Sequence, residues 1–146
     1  MQSNKVAHTR ADGWHRLVTP ATFTGTVVAD ADYLLVDDHV GFGGTLANLR
    51  GHIEANGGHV IGMTTLTETG GGREIAIRAE ALSMLYLKHG NELAQFWRAI
   101  FGHGIDCLTN LEAGYLSRVE SVDAIRTRMA QAAELARRRG LSAIDV

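Results

Sequence analysis

Apolar positions follow two different patterns along this chain. Between residues 22 and 68 they come in short continuous runs. Thr22 to Ala29 is β-branched and aromatic, Tyr33 to Val36 is wholly apolar, and His59 to Leu66 carries Val60, Ile61, Met63 and Leu66. Runs of this length and composition predict strands. Between the last two, Leu46, Leu49 and Ile53 recur at helical spacing, so Thr45 to Asn56 reads as a helix stopped by Gly57-Gly58. A β–α–β unit with parallel strands follows. Beyond Thr69-Gly70-Gly71-Gly72, a linker candidate, the spacing is helical. Ile75 and Ile77 briefly extend the chain. Ala79 to His89 presents Leu82, Leu85 and Tyr86 on one face, and Gly90 ends that helix. Asn91 opens a helix to about Phe101 that buries Leu93, Phe96, Trp97 and Ile100. Thr109 with Glu112 three residues on predicts a capping box. Ser121 begins a last helix, ending near Gly140, whose arginines suit its C-terminal dipole. Ser142 to Val146 reads as a frayed end.

The expected fold is therefore α/β: a partial doubly wound parallel sheet followed by an all-helical extension. Residues 1–21 read as a polar arm or mobile loop carrying Lys5, His8, Arg10 and Arg16, with Trp14 as a docking residue. Residues 22–68 form the α/β core, and 69–146 the helical extension. That extension packs on its own sheet, on another copy or on a separate protein.

Composition narrows the class. The 146 residues are 45% hydrophobic, enough for a core, and the net charge is −2. This balance speaks against nucleic acid or an anionic membrane as partner. A single cysteine, Cys107, excludes an intramolecular disulfide framework. With no apolar run of membrane length and no leader-like segment, the expectation is a cytoplasmic protein.

The candidate chemistry lies where the second strand meets the helix, at Asp37-Asp38-His39-Val40-Gly41-Phe42-Gly43-Gly44-Thr45. Ligands of open α/β sheets sit beyond the carboxyl ends of the strands, where Asp37 and Asp38 fall. Side chains alternate along a strand, so the two carboxylates start in different directions. Gly41, Gly43 and Gly44 let a ligand approach the backbone, and successive N–H groups with the helix N-terminus favour an anion. Thr45 is placed to cap the helix or to donate its hydroxyl. The loop is neither a Walker A motif nor a G-x-G-x-x-G fingerprint. The plainer alternative is a β–α turn with a solvated acidic tip.

The order of strand, two acids, glycine-rich loop and threonine resembles the phosphoribosyl-diphosphate (PRPP) signature of type I phosphoribosyltransferases, over about Gly25 to Thr67. That resemblance implies a PRPP-binding glycosyltransferase of nucleotide metabolism. Asp37 and Asp38 would hold the ribose hydroxyls, and Gly41, Phe42, Gly43, Gly44 and Thr45 the 5′-phosphate. Mg²⁺ would arrive with PRPP, the acceptor would be a nucleobase or amine, and Thr65 and Thr67 would line its pocket. Three departures stand out. Phe42 replaces a hydroxyl residue, and Gly41 stands where one branch has an acidic base. Only 32 residues precede Tyr33, too few for the diphosphate-binding half. The alternatives implied are a truncated or split non-catalytic relative serving as a nucleotide-binding or protein-interaction module, or the C-terminal part of a larger transferase. A homo-oligomer or a partner chain would supply the missing sheet half.

The remaining candidates are thin. His103 and Cys107 are four apart without a second zinc-spaced pair, so no metal site is expected. Cys107 reads as a small buried hydrophobe. His39, inside the loop, either contacts phosphate or is solvated.

Overall fold

The computed structural model describes residues 2–3, 12–68 and 75–146. The linker candidate Thr69 to Gly72, together with Lys5, His8 and Arg10, lies outside the described residues. The architecture is mixed α/β, with a two-stranded parallel sheet and five helices. In chain order the elements are β1 (Gln2–Ser3), α1 (Gly13–Val18), β2 (Phe23–Thr24), β3 (Asp32–Val40), α2 (Gly44–Ala55) and β4 (His59–Glu68). They continue with α3 (Ala79–Phe101), a single 3-10 turn at Ile105–Cys107, α4 (Asn110–Ser117) and α5 (Val122–Arg138).

The predicted β–α–β unit is present, and β3 and β4 pair in parallel. Its limits differ from expectation in an informative way. β3 does not stop at Val36. Asp37 pairs with Thr65, His39 with Thr67 and Val40 with Glu68, so the acidic pair lies inside the strand. β4 continues through Thr67 and Glu68 and gives Asp37, His39 and Val40 their ladder partners. The expected strand over Thr22 to Ala29 shrinks to Phe23–Thr24, which pairs antiparallel with Gln2–Ser3. Beyond it, Gly25 takes φ 132°, and Asp30 turns through the left-handed region at φ 57° with its N–H donating to the Gly57 carbonyl. That backbone path leads into β3 instead of alongside it.

Two apolar clusters hold the chain. The smaller is the sheet unit: Leu35, Leu46 and Ile53 are buried, with Tyr33, Leu49, Val60 and Met63 packed around them. α2 therefore covers one sheet face. The larger is helical and answers what the extension packs on: it joins α1, α3, α4 and α5 around Leu93, Trp97, Leu116, Ile125 and Met129. Leu17 and Val18 of α1 are buried in it, so part of the segment that reads as a polar arm is core. Trp14 packs at its margin, as a docking residue would. The C-terminal segment, expected to fray, is tied down: the Ile144 N–H donates to the Val18 carbonyl, and Arg137 pairs with Asp145.

Helix punctuation follows local chemistry closely. Gly90 interrupts α3 with φ 60° and ψ −160°, so two helical arms meet at a kink where a stop was expected. Of its first arm, Leu85 is buried as anticipated, whereas Tyr86 is 42% exposed. The Thr109–Glu112 capping box and the Ser121 cap of α5 both form. α2 is the exception. Its N-cap is Gly43, left-handed at φ 79°, with no side-chain cap, so Thr45 is already helical. Only glycine reaches that φ without strain, which makes Gly43 the obligatory hinge of the loop.

Candidate cavity at the β3–α2 loop

The loop from Gly41 to Thr45 lines a cavity of about 650 Å³ enclosed by α1 and α4. It sits where the sheet unit meets the helical cluster, a common location for ligand sites. Asp37 lines it and Asp38 does not. Strand alternation explains the division: Asp37 shares the α2-facing side with Leu35, while Asp38 shares the opposite side with Val36. Of the two adjacent carboxylates, therefore, only Asp37 faces this cavity. His39 reaches the cavity rim, and its Nδ1 lies 2.9 Å from the Thr67 hydroxyl. That hydroxyl in turn donates to the Asp38 carbonyl, so Thr67 belongs to the strand pairing.

Three features of the cavity left no local trace in the sequence. Arg16 of α1 stacks over the Phe42 ring, 4.2 Å from its centroid, so the residue that replaces a hydroxyl packs under a guanidinium. Tyr115 of α4 forms another wall, and its ring occupies the space that a Cβ on Gly13 would fill. Glu112, also of α4, approaches the α2 N-terminus: its Oε1 lies 3.0 Å from where a Cβ on Gly44 would sit. The other oxygen, Oε2, accepts from the Thr109 N–H in the capping box. Burial pushes the Glu112 carboxyl above its ordinary value, and its hydrogen bonds to Thr109 offset this only in part. The acidic group facing the first turn of α2 is thus the chain's own Glu112. A phosphate seated there would meet it at close range.

Gly13→Ala tests this wall. The new methyl displaces the Tyr115 ring, and the expected cost is about 1–3 kcal/mol for overpacking. In a Tyr115→Ala background the same substitution should cost almost nothing, because the collision partner is gone. Denaturant unfolding of the four proteins in the cycle reads the difference.

A second polar cluster lies on the far side of α2. Arg50 pairs with Glu54 at 2.8 Å, and the Cys107 thiol lies 3.6 Å from the Glu54 carboxylate. Asp106 completes a group whose ligand atoms lie within 4.8 Å of one another. The Arg50 guanidinium already supplies the positive charge there, and burial, followed by the charge of Asp106, pushes the Cys107 thiol up to about 12. A thiol held protonated is a poor nucleophile. His103 is also lowered by burial, and its ring packs against Gly51. Apart from the i,i+4 pair of Arg50 and Glu54, the cluster is not legible from spacing, because Glu54 and Cys107 are far apart in the chain.

Comparison with known proteins overturns the transferase resemblance. The chain is 45% identical to Protein TraN of Escherichia coli over 132 residues, which is 90% of this chain and 30% of TraN. It is 47% identical over 53 residues to an uncharacterized protein of Haemophilus influenzae, 36% of this chain and 12% of that protein. The chain thus spans less than a third of the length of the curated relatives it matches. No protein-family model matches the chain, the phosphoribosyltransferases included, and no solved structure is significantly similar to it. Similarity to TraN across nine-tenths of the chain outweighs a motif likeness covering under a third of it. With the resemblance fall PRPP as ligand, the transferase chemistry and the role in nucleotide metabolism. The magnesium expectation rested on the same likeness. Among the described residues no helix is long and apolar enough to cross a membrane.

Proposed function

We propose that this chain is an assembly module whose parallel sheet is completed by further strand-and-helix structure of a longer polypeptide of the TraN kind. The observation that carries this reading is the uncovered sheet face. Leu34 is 62% exposed, Val36 66%, Ile61 68% and Leu66 83%. Leu34 pairs with Gly62, and Val36 with Thr64, so these positions look out from the face opposite α2. Parallel sheets occur almost only with both faces covered, and among the described residues neither β3 nor β4 has a further strand at its outer edge. Large exposed apolar side chains gathered on one sheet face mark an interaction surface. The lengths of the relatives support the source of the cover, because most of TraN lies outside the matched region. A βα segment that adds a strand at an open edge and lays its helix over Leu34 and Val36 satisfies both needs at once.

The test is the double substitution Leu34→Lys/Leu66→Lys. Both side chains are mostly outside the core, so the circular dichroism spectrum and melting temperature should stay near those of the parent chain. Binding of a hydrophobic dye should fall. Association with the flanking portions of TraN, supplied as a separate polypeptide, should be abolished. A double variant that associates as well as the parent sinks the reading. Concentration-dependent dimers of the parent that the substitutions dissolve would point instead to a second copy as the cover.

A further inference from the structure

We propose that the cavity between the β3–α2 loop, α1 and α4 binds a protonated amine carried on an apolar body. The charges of its lining point this way. Asp37 and Glu112 contribute two carboxylates, and Arg16, engaged on the face of Phe42, contributes one guanidinium. Among the described residues no cation pairs with either carboxylate. Among the described lining residues the carboxyl groups outnumber the guanidinium by one, and a monocation suits that balance better than an anion. Neutralising a partly buried carboxylate also removes a desolvation cost that the free protein bears.

The remaining surface suits the rest of such a ligand. Leu17 and Leu111 supply apolar wall, and Tyr115 adds an aromatic edge with a polar tip. The cavity volume of about 650 Å³ lies within the range of small-molecule sites. An anion fits poorly, because the α2 N-terminus that would attract it already faces Glu112. Two sources can present a protonated amine on an apolar stem: a free small amine, or the side chain of a lysine on another polypeptide. The chemistry recognised is the same.

Amide chemical-shift titration of the whole chain distinguishes the outcomes. Benzylamine probes the free-amine source, N-acetyl-lysine methylamide the side-chain source, and inorganic phosphate the anion. The expected result is shifts confined to Gly41 to Thr45 and Tyr115 with one or both amines and none with phosphate. The tighter amine identifies the source. Asp37→Asn, on a partly exposed strand position, should weaken the amine about tenfold or more while leaving the unfolding midpoint unchanged. Glu112→Gln, which keeps a capping side chain, should weaken it similarly. No shifts at these positions with either amine overturns the proposal. So does phosphate binding as tight as the amine, or an Asp37→Asn variant that binds the amine like the parent. Failure here leaves the assembly reading intact, because Leu34 and Leu66 lie on the opposite face of the sheet from Asp37.

Discussion

Trp97→Ala lowers the stability of this chain by about 3–5 kcal/mol, measured as a shift of the urea unfolding midpoint followed by circular dichroism. Trp97 is 2% exposed and stacks on Phe101 with ring centroids 4.2 Å apart, at the centre of the helical cluster. Its removal takes away the largest apolar surface of that cluster, whose fully buried members, such as Leu116 of α4 and Ile125 of α5, are fixed on separate helices. Such a site cannot collapse easily, which places the cost toward the upper end. A domain of this size has about 5–15 kcal/mol in hand, so the variant should unfold measurably at physiological temperature. Trp97→Phe is the discriminating companion. The indole Nε1 is buried without a hydrogen-bond partner, so phenylalanine keeps the ring contact and discards an unpaired donor. It should cost clearly less than alanine. Equal losses for the two would mean that the indole N–H is satisfied in solution.

Trp97 also shows which parts of the fold the sequence makes legible. Helical periodicity places Leu85, Leu93 and Trp97 in the core, and capping chemistry places the starts of α4 and α5, because both signals are local. The kink at Gly90 is likewise written in one residue. What cannot be read this way depends on partners distant in the chain. The extent of β3 was misjudged because Asp37, Asp38 and His39 look like a loop until Thr65 to Glu68 are seen beside them. Leu34 and Val36 looked like members of a doubly covered strand, and the structure leaves their face bare. The cavity followed the same rule. Its floor, Gly41 to Thr45, was visible as a motif. Its walls, Arg16, Glu112 and Tyr115, come from α1 and α4, and no spacing connects them to the loop. The motif therefore suggested an anion site, and the residue that answers its positive end, Glu112, lies in a helix whose sequence signalled only a cap.

The second large effect is Ile53→Ala, which should cost about 2–5 kcal/mol. Ile53 is wholly buried beneath the sheet, its carbonyl accepts from the Gly58 N–H, and its Cγ2 lies 2.8 Å from where a Cβ on Gly58 would be. The consequence differs in kind from that of Trp97. The sheet cluster is much the smaller of the two, with Leu35 and Leu46 as the other buried members. Losing Ile53 removes a large share of what holds β3 and β4 on α2, while the helical cluster keeps all of its contacts. Native-state hydrogen exchange should therefore show protection lost in Tyr33 to Val40 and in the paired residues of β4, with α5 retaining most of its own. Equal loss in α5 would mean that the two clusters open as one unit. The cavity adds a sharper test, because its walls come from both clusters and a ligand filling it binds only when both are in place. An amine at a hundredfold excess over its dissociation constant stabilises the bound state by about 2.7 kcal/mol, comparable with the damage done by Ile53→Ala. It should restore protection to β3 in that variant and restore about half as much or less when Asp37→Asn is added, because a tenfold weaker amine contributes about 1.4 kcal/mol at the same concentration.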